Sequence, residues 1–166
     1  MTSQEYNPYY KTYINLVTEP LLTKSLSIGL LNITDFFNAI PNDKLEYRYA
    51  TNKWTPKEVL LHLIDTERVF SYRALTFARS KNVELPGFDQ DEFVQNSDAN
   101  KYTLDELLDD YLATRTATIS LFKGFNEKTL QQSGIASGST LSVRAAGTII
   151  CGHEIHHCNI IKERYL

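Results

Sequence analysis

Apolar side chains recur at helical spacing along most of this 166-residue chain, and no segment alternates convincingly with a period of two. Between Pro20 and Pro41 they stand at Leu22, Leu26, Leu30, Ile33, Phe37 and Ile40, in steps of three and four. The spacing predicts a first helix over 21–40, which Pro41-Asn42-Asp43 stops. Thr55-Pro56-Lys57-Glu58 opens a second with an N-cap hydroxyl, proline at the first helical position and the glutamate of a capping box. Val59, Leu63, Thr66, Phe70, Arg73 and Phe77 carry it to the neighbourhood of Ser80. A second capping box, Thr103-Leu104-Asp105-Glu106, opens a third helix through Leu107, Leu108, Tyr111, Leu112, Thr118, Ile119 and Phe122 to Gly124. The fourth starts near Thr140 or Ser142 and runs toward Leu166, with a seam of Ala146, Ile150, His153, His157, Ile160 and Arg164.

All five prolines lie at or before Pro86, so none interrupts the last two helices. The expectation is one all-α domain over residues 1–166, an antiparallel four-helix bundle with a long connection, 81–102, between its second and third helices. A connection of that length often covers one end of a bundle or serves its function. The Tyr-rich stretch 9–17 reads as a short helix or as an arm laid over the bundle. Residues 133–139, Ser-Gly-Ile-Ala-Ser-Gly-Ser, look at first like a phosphate loop. They lack the Lys-Ser/Thr pair and a preceding strand, and read instead as a flexible connection. Gly147 and Gly152 each weaken the fourth helix by about 1 kcal/mol relative to Ala and would let a neighbouring helix come close.

Composition removes several classes. A net charge of −3 offers no basic surface to a phosphate backbone, so no nucleic-acid partner is expected. With seven glycines and five prolines, neither a collagen-like nor a Pro-rich disordered chain fits. No apolar run approaches the ~18 residues of a membrane span, and the first residues have neither the basic start nor the apolar stretch of a signal peptide. Cys151 and Cys158 lie ~10 Å apart along one predicted helix, too far for a disulfide. Reduced thiols in a small acidic chain point to the cytoplasm.

Of four histidines, one is His62 and the other three, His153, His156 and His157, crowd into the last helix. His153 and His157, four residues apart, point the same way on the apolar seam and can grip one ion from one face. His62 could face the same interior from the second helix. A histidine on an apolar seam is usually a hydrogen-bonded core residue, but a pair at this spacing with a third on another helix favours a metal. Three neutral imidazoles suit Zn, Ni, Cu or Fe and leave positions open for water or substrate. His156 is rotated ~100° from His157 and reads as a flanking residue. Cys158 and Cys151 are turned ~140° and ~160° from His153, poor angles for further ligands.

His153-Glu154-Ile155-His156-His157 also spells the H-E-x-x-H string of zinc proteases. Cys158-Asn159-Ile160 lacks the Gly and third His of one extension, and Glu163 is too near to serve as the distant carboxylate of another. Glu154 stays a candidate for positioning a nucleophilic water, against the default of a solvated helix acid. A di-iron carboxylate site fails on its count of Glu-x-x-His pairs. Glu58 and Asp65 share a helix face with His62, and either could orient its ring. Glu58 also serves the capping box, and Asp65 is by default exposed.

The run Lys53-Trp54-Thr55-Pro56-Lys57-Glu58-Val59-Leu60-Leu61-His62-Leu63-Ile64-Asp65-Thr66-Glu67-Arg68 resembles the second-helix signature of the DinB-like (DinB/YfiT) superfamily. Leu85-Pro86-Gly87-Phe88-Asp89 is similar to that family's loop, and Gly152-His153-Glu154-Ile155-His156-His157 to its last-helix motif. The resemblance covers residues 10–166 and implies a four-helix bundle whose divalent metal (Zn, Ni or Fe) is held by a triad mapping onto His62, His153 and His157. It further implies a metal-dependent enzyme, a low-molecular-weight-thiol S-transferase or a related hydrolase, acting on a small molecule. The alternative is a non-catalytic metal- or small-ligand-binding bundle. A homodimer through a helix face is expected. Tyr72, Arg73 and the loop from Phe88 to Asp91 are candidates for shaping the mouth of the site, against packing and surface-turn roles.

Overall fold

The computed structural model describes residues 1–166 and holds seven α-helices and three short strands. In chain order these are α1 (Lys11–Ile14), α2 (Leu22–Asn38), α3 (Pro56–Arg79), β1 (Glu84–Leu85), α4 (Gln90–Asn96), α5 (Leu104–Lys123), α6 (Glu127–Leu130), β2 (Ser133–Ala136), β3 (Ser139–Ser142) and α7 (Val143–Arg164). The four long helices, α2, α3, α5 and α7, are the four read from the periodicity. Both capping boxes close: Thr55 and Thr103 accept from the N–H groups of Glu58 and Glu106, whose carboxylates reach back to the cap N–H. Ser142 caps α7 by accepting from the Ala145 N–H.

α3 packs against α5 and α7, and α2 packs against the same two, so α2 and α3 stand diagonally across the bundle. One expectation needs correcting: the fold is not purely α. Residues 133–142 form a hairpin, β2 antiparallel to β3, with β1 parallel to β2 on its other side. Its turn is Ser137-Gly138, both at positive φ, the conformation of a two-residue hairpin turn. The loop after α3 supplies β1, which converts a flexible connection into a small sheet capping one end of the bundle.

The apolar core comes in two parts. Leu26, Phe70, Phe77, Phe122 and Ile149 anchor one, and Ile33, Phe37, Leu60, Ile64, Leu107 and Ile161 the other. Between them, on three of the four long helices, stand buried polar residues: Thr66 and Glu67 on α3, Arg115 on α5, His153 and Glu154 on α7. On α2 the same level is occupied by Gly29. A Cβ there would meet Glu154 Oε1 at 2.0 Å and Arg115 Nη1 at 2.4 Å, so only glycine lets α2 close over the layer. Unmatched buried charges would be expensive, and this layer is matched. Arg115 donates from Nε and Nη2 to the two oxygens of Glu67, each at 2.8 Å. It also donates to Glu154 (2.6 and 3.3 Å) and to the Leu26 carbonyl (3.1 Å), while the Tyr111 hydroxyl donates to Glu154 at 3.0 Å.

Candidate metal centre

α3 and α7 meet face to face, and their contact brings three imidazoles to one point. His153 Nε2 lies 3.1 Å from His62 Nε2 and 3.0 Å from His157 Nε2. All three donor atoms fall within 4.8 Å of one another. Nitrogens held 2.0–2.1 Å from a single ion stand about 2.9 Å apart at a right angle and about 3.3 Å apart at a tetrahedral angle. Three Nε2 atoms facing inward cannot satisfy one another by hydrogen bonds, since His153 Nε2 has two nitrogen neighbours and can share one proton. The chemistry of the donor set is that of a divalent transition ion; the His62–His157 separation, up to 4.8 Å, would close to under about 4.2 Å for all three nitrogens to reach one ion.

Burial keeps the ligand lone pairs free. It pushes His62 down to about 4, pushes His157 down to about 3 with help from the neighbouring imidazoles, and holds His153 well below the ordinary imidazole range. Each ring is also held in place. Thr66 Oγ1, one turn beyond His62, lies 3.4 Å from its Nδ1. Trp54 covers His62 at 4.7 Å between centroids and stacks on His157 at 6.4 Å. Tyr13 meets His153 edge to face at 5.3 Å.

The contact of Tyr13 depends on Gly152. A Cβ at that position would lie 2.0 Å from the Tyr13 carbonyl oxygen, so α1 rests directly on α7 there. The Tyr-rich segment is thus a short helix and an arm at once, and it roofs the histidines. His156 stands outside the cluster, packed edge to face on Tyr13 and His157.

The structure places the other candidates elsewhere. Glu58 accepts from the Thr55 N–H, Arg48 and Asn100, so the cap and a loop use its oxygens. Asp65 accepts from Arg68, its partner one turn along. Neither carboxylate bonds an imidazole. Glu154 is neither solvated nor turned to the histidines. It is buried against Arg115 and Tyr111, because one residue of helix rotates it ~100° from His153. Cys151 and Cys158 are unbridged, and burial pushes both thiols up to about 12.

Two cavities flank the cluster. One, of about 200 Å³, is lined by His62, His153, Thr66, Arg73, Tyr10 and Phe88 among others. The other, of about 240 Å³, is reached by His157 and His156 and bordered by Trp54 and Asp91. Larger hollows of about 570 and 590 Å³ touch none of the three clustered histidines. Of the residues expected at the mouth, Arg73 and the loop through Phe88 and Gln90 line the first cavity. Tyr72 does not, being 59% exposed on the outer face of α3.

The family profile of the DinB superfamily matches residues 31–161, a span that includes all three histidines. The chain belongs to the DinB superfamily. A solved structure similar to it is YfiT from Bacillus subtilis, described as a probable metal-dependent hydrolase with an unusual four-helix bundle topology. The two superpose with a TM-score of 0.73 at 13% identity, over 98% of this chain and 90% of that one. At that identity the likeness concerns the fold alone. No curated protein matches significantly.

In this DinB-superfamily chain, sequence reasoning passed over Glu67, Arg115 and Tyr111 as a connected group. A signal was there: Arg115 sits four residues after Tyr111 and three before Thr118, a charge on the apolar stripe of α5. No helix of the protein is long and apolar enough to cross a membrane.

Proposed function

We propose that His62, His153 and His157 hold one divalent transition metal, Zn, Ni or Fe, and that the chain is a metal-dependent enzyme acting on small molecules. The reaction we assign is transfer of a low-molecular-weight thiol to an electrophile, with hydrolysis as the competing outcome. The observation that carries this reading is the convergence of three neutral Nε2 atoms beside a small cavity that opens to the surface. When bound, a divalent metal supplies Lewis-acid character that favours the deprotonated form of a water or thiol at its open positions.

The chain's own residues supply the rest. Thr66 orients His62, Trp54 and Tyr13 keep bulk water from the rings, and Phe70 and Phe88 give the cavity apolar walls. A space of about 200 Å³ admits a small molecule and not a folded peptide. Its lining contains no carboxylate, and Glu154 is committed to Arg115, so a water entering it meets no carboxylate base. A thiol needs less help, with an ordinary pKa of about 8.5 against about 15.7 for water. This difference favours thiol transfer over hydrolysis. The reading extends to a homodimer in the cytoplasm, where low-mass thiols are kept reduced, without a nucleic-acid partner.

The test is metal analysis of tag-free protein, followed by turnover of a chloro-aromatic or epoxide electrophile with a panel of thiols. Near-stoichiometric metal is expected, lost in His62→Ala and His153→Ala. Full metal content in both variants overturns the triad. Bound metal without turnover by any thiol or by water makes the protein a binding module instead.

A further inference from the structure

Arg73 is a buried charge without an opposite. It is 2% exposed, yet no carboxylate pairs with it, whereas the other fully buried arginine, Arg115, is held by two. Its Nη2 donates only to neutral acceptors, the Pro86 carbonyl at 3.1 Å and Ser137 Oγ at 3.0 Å. The guanidinium lies over Phe70 at 4.9 Å and Phe88 at 5.8 Å. Aromatic faces and a carbonyl offset only part of the cost of removing a cation from water. Tyr10 lies close by, but burial pushes its phenol above the ordinary value, so it brings no negative charge.

What Arg73 does face is the cavity that His62 and His153 also line. Along α3 the two ends of that cavity are in register. Eleven residues separate His62 from Arg73, which returns to within about 20° of the same helix face after a rise of about 16 Å. Long side chains on a helix lean toward its N-terminus, which brings the guanidinium to on the order of 10 Å from the imidazole. No second Lys or Arg lines the cavity, so the site offers one unit of positive charge in a planar fork.

We infer that Arg73 is the anion-binding end of this cavity, and that it takes the carboxylate of an elongated small molecule whose other end reaches the three histidines. One cation balances a carboxylate and leaves a phosphate dianion half-neutralised. The inference rests on the histidine cluster being the reactive end, and the experiment separates the two.

Binding of mercaptohexanoate and of mercaptohexanol is measured by calorimetry on metal-loaded protein. Hexanoate, hexanol and hexyl phosphate are measured on metal-free protein. The carboxylates are expected to bind at least about tenfold more tightly than the matched alcohols, the discrimination a charge-assisted pair provides. Arg73→Gln should erase it. Because that variant also breaks the bonds to Pro86 and Ser137, a second one keeps Arg73 in place. Ser137 has φ +52°, a left-handed backbone that Asp tolerates, so Ser137→Asp sets a carboxylate beside the guanidinium. It should raise the melting temperature and abolish the preference. Equal binding of acid and alcohol to the unaltered protein overturns the inference. So does a preference that survives Ser137→Asp, an unchanged melting temperature in that variant, or tighter binding of hexyl phosphate than of hexanoate. A chain that takes no metal but still prefers hexanoate refutes the histidine reading and keeps this one.

Discussion

Replacing Arg115 by Met tests whether the polar layer at the waist of the bundle is matched charge or merely tolerated charge. The substitution keeps an unbranched side chain of similar length and removes all five hydrogen bonds of the guanidinium: two to Glu67, two to Glu154 and one to the Leu26 carbonyl. It leaves two carboxylates, 3% and 4% exposed, facing each other without a cation. Breaking a buried pair in this way costs about 3–5 kcal/mol, against a total domain stability of about 5–15 kcal/mol. At about 2–4 °C per kcal/mol for a chain of this size, the melting temperature should fall by about 6–20 °C. Urea unfolding followed by circular dichroism reads the loss directly. The control removes the orphaned groups as well, combining Arg115→Met with Glu67→Met, Glu154→Met and Tyr111→Phe. If the cost lies in stranded charge, this all-apolar layer recovers most of it. A loss below about 1 kcal/mol in the single variant, or an all-apolar variant no more stable than it, refutes the reasoning.

Three further outcomes follow from local geometry. Gly29→Ala places a methyl group 2.0 Å from Glu154 Oε1, and urea titration should show a loss of about 1–3 kcal/mol as α2 is forced outward. Thr66→Val keeps shape but removes the oxygen beside His62 Nδ1; chelator competition should show metal affinity reduced by on the order of tenfold, with the fold retained by circular dichroism. Two bonds from Arg144, each of 2.6 Å, hold Glu5 at about 2 instead of the ordinary 4.5. The folded value lies below the unfolded one, so this clamp is fully present above pH 4.5 and fades as pH falls toward 2. Lying at the surface, it is worth about 1 kcal/mol at most, and comparing acid unfolding curves of Arg144→Met and the unaltered protein measures it.

The long helices are legible in the sequence because their determinants are local. A cap, a glutamate three residues on and a stripe at steps of three and four all lie within one segment. The hairpin is not legible in the same way. Period-two alternation needs a strand with one face buried, and in β2 and β3 only Ala136, Leu141 and Ser142 are. What holds β2 is remote: the Val83 and Leu85 carbonyls accept from the N–H groups of Ile135 and Ser137. The Ser137-Gly138 turn is the part that composition does signal. The spacing of His153 and His157 is legible for the same reason as the helices, being a local fact, and His62 stands beside the apolar stripe of the second helix. The arginine network is hidden by charge itself. Glu67, Arg115 and Glu154 carry the residue types that default to solvent, and their partners lie on other helices.

His153 and Glu154 are neighbours, and their separation by one helical step explains why a protease string carries no protease machinery here. In such a string the glutamate must reach the water that attacks the substrate. Here one step of ~100° sends His153 and His157 toward α3 and Glu154 toward α2 and α5, where Arg115 and Tyr111 hold both of its oxygens. A rotation of α7 large enough to bring Glu154 to the histidines would break those bonds and carry His153 away from His62. The two faces are therefore coupled through the helix that bears them. The anchored carboxylate sets the angle of α7, the angle sets where the two imidazoles point, and Gly29 lets α2 come near enough to seal the anchor. Glu154 thus braces the helix that carries two of the three clustered histidines, with both of its oxygens turned away from them.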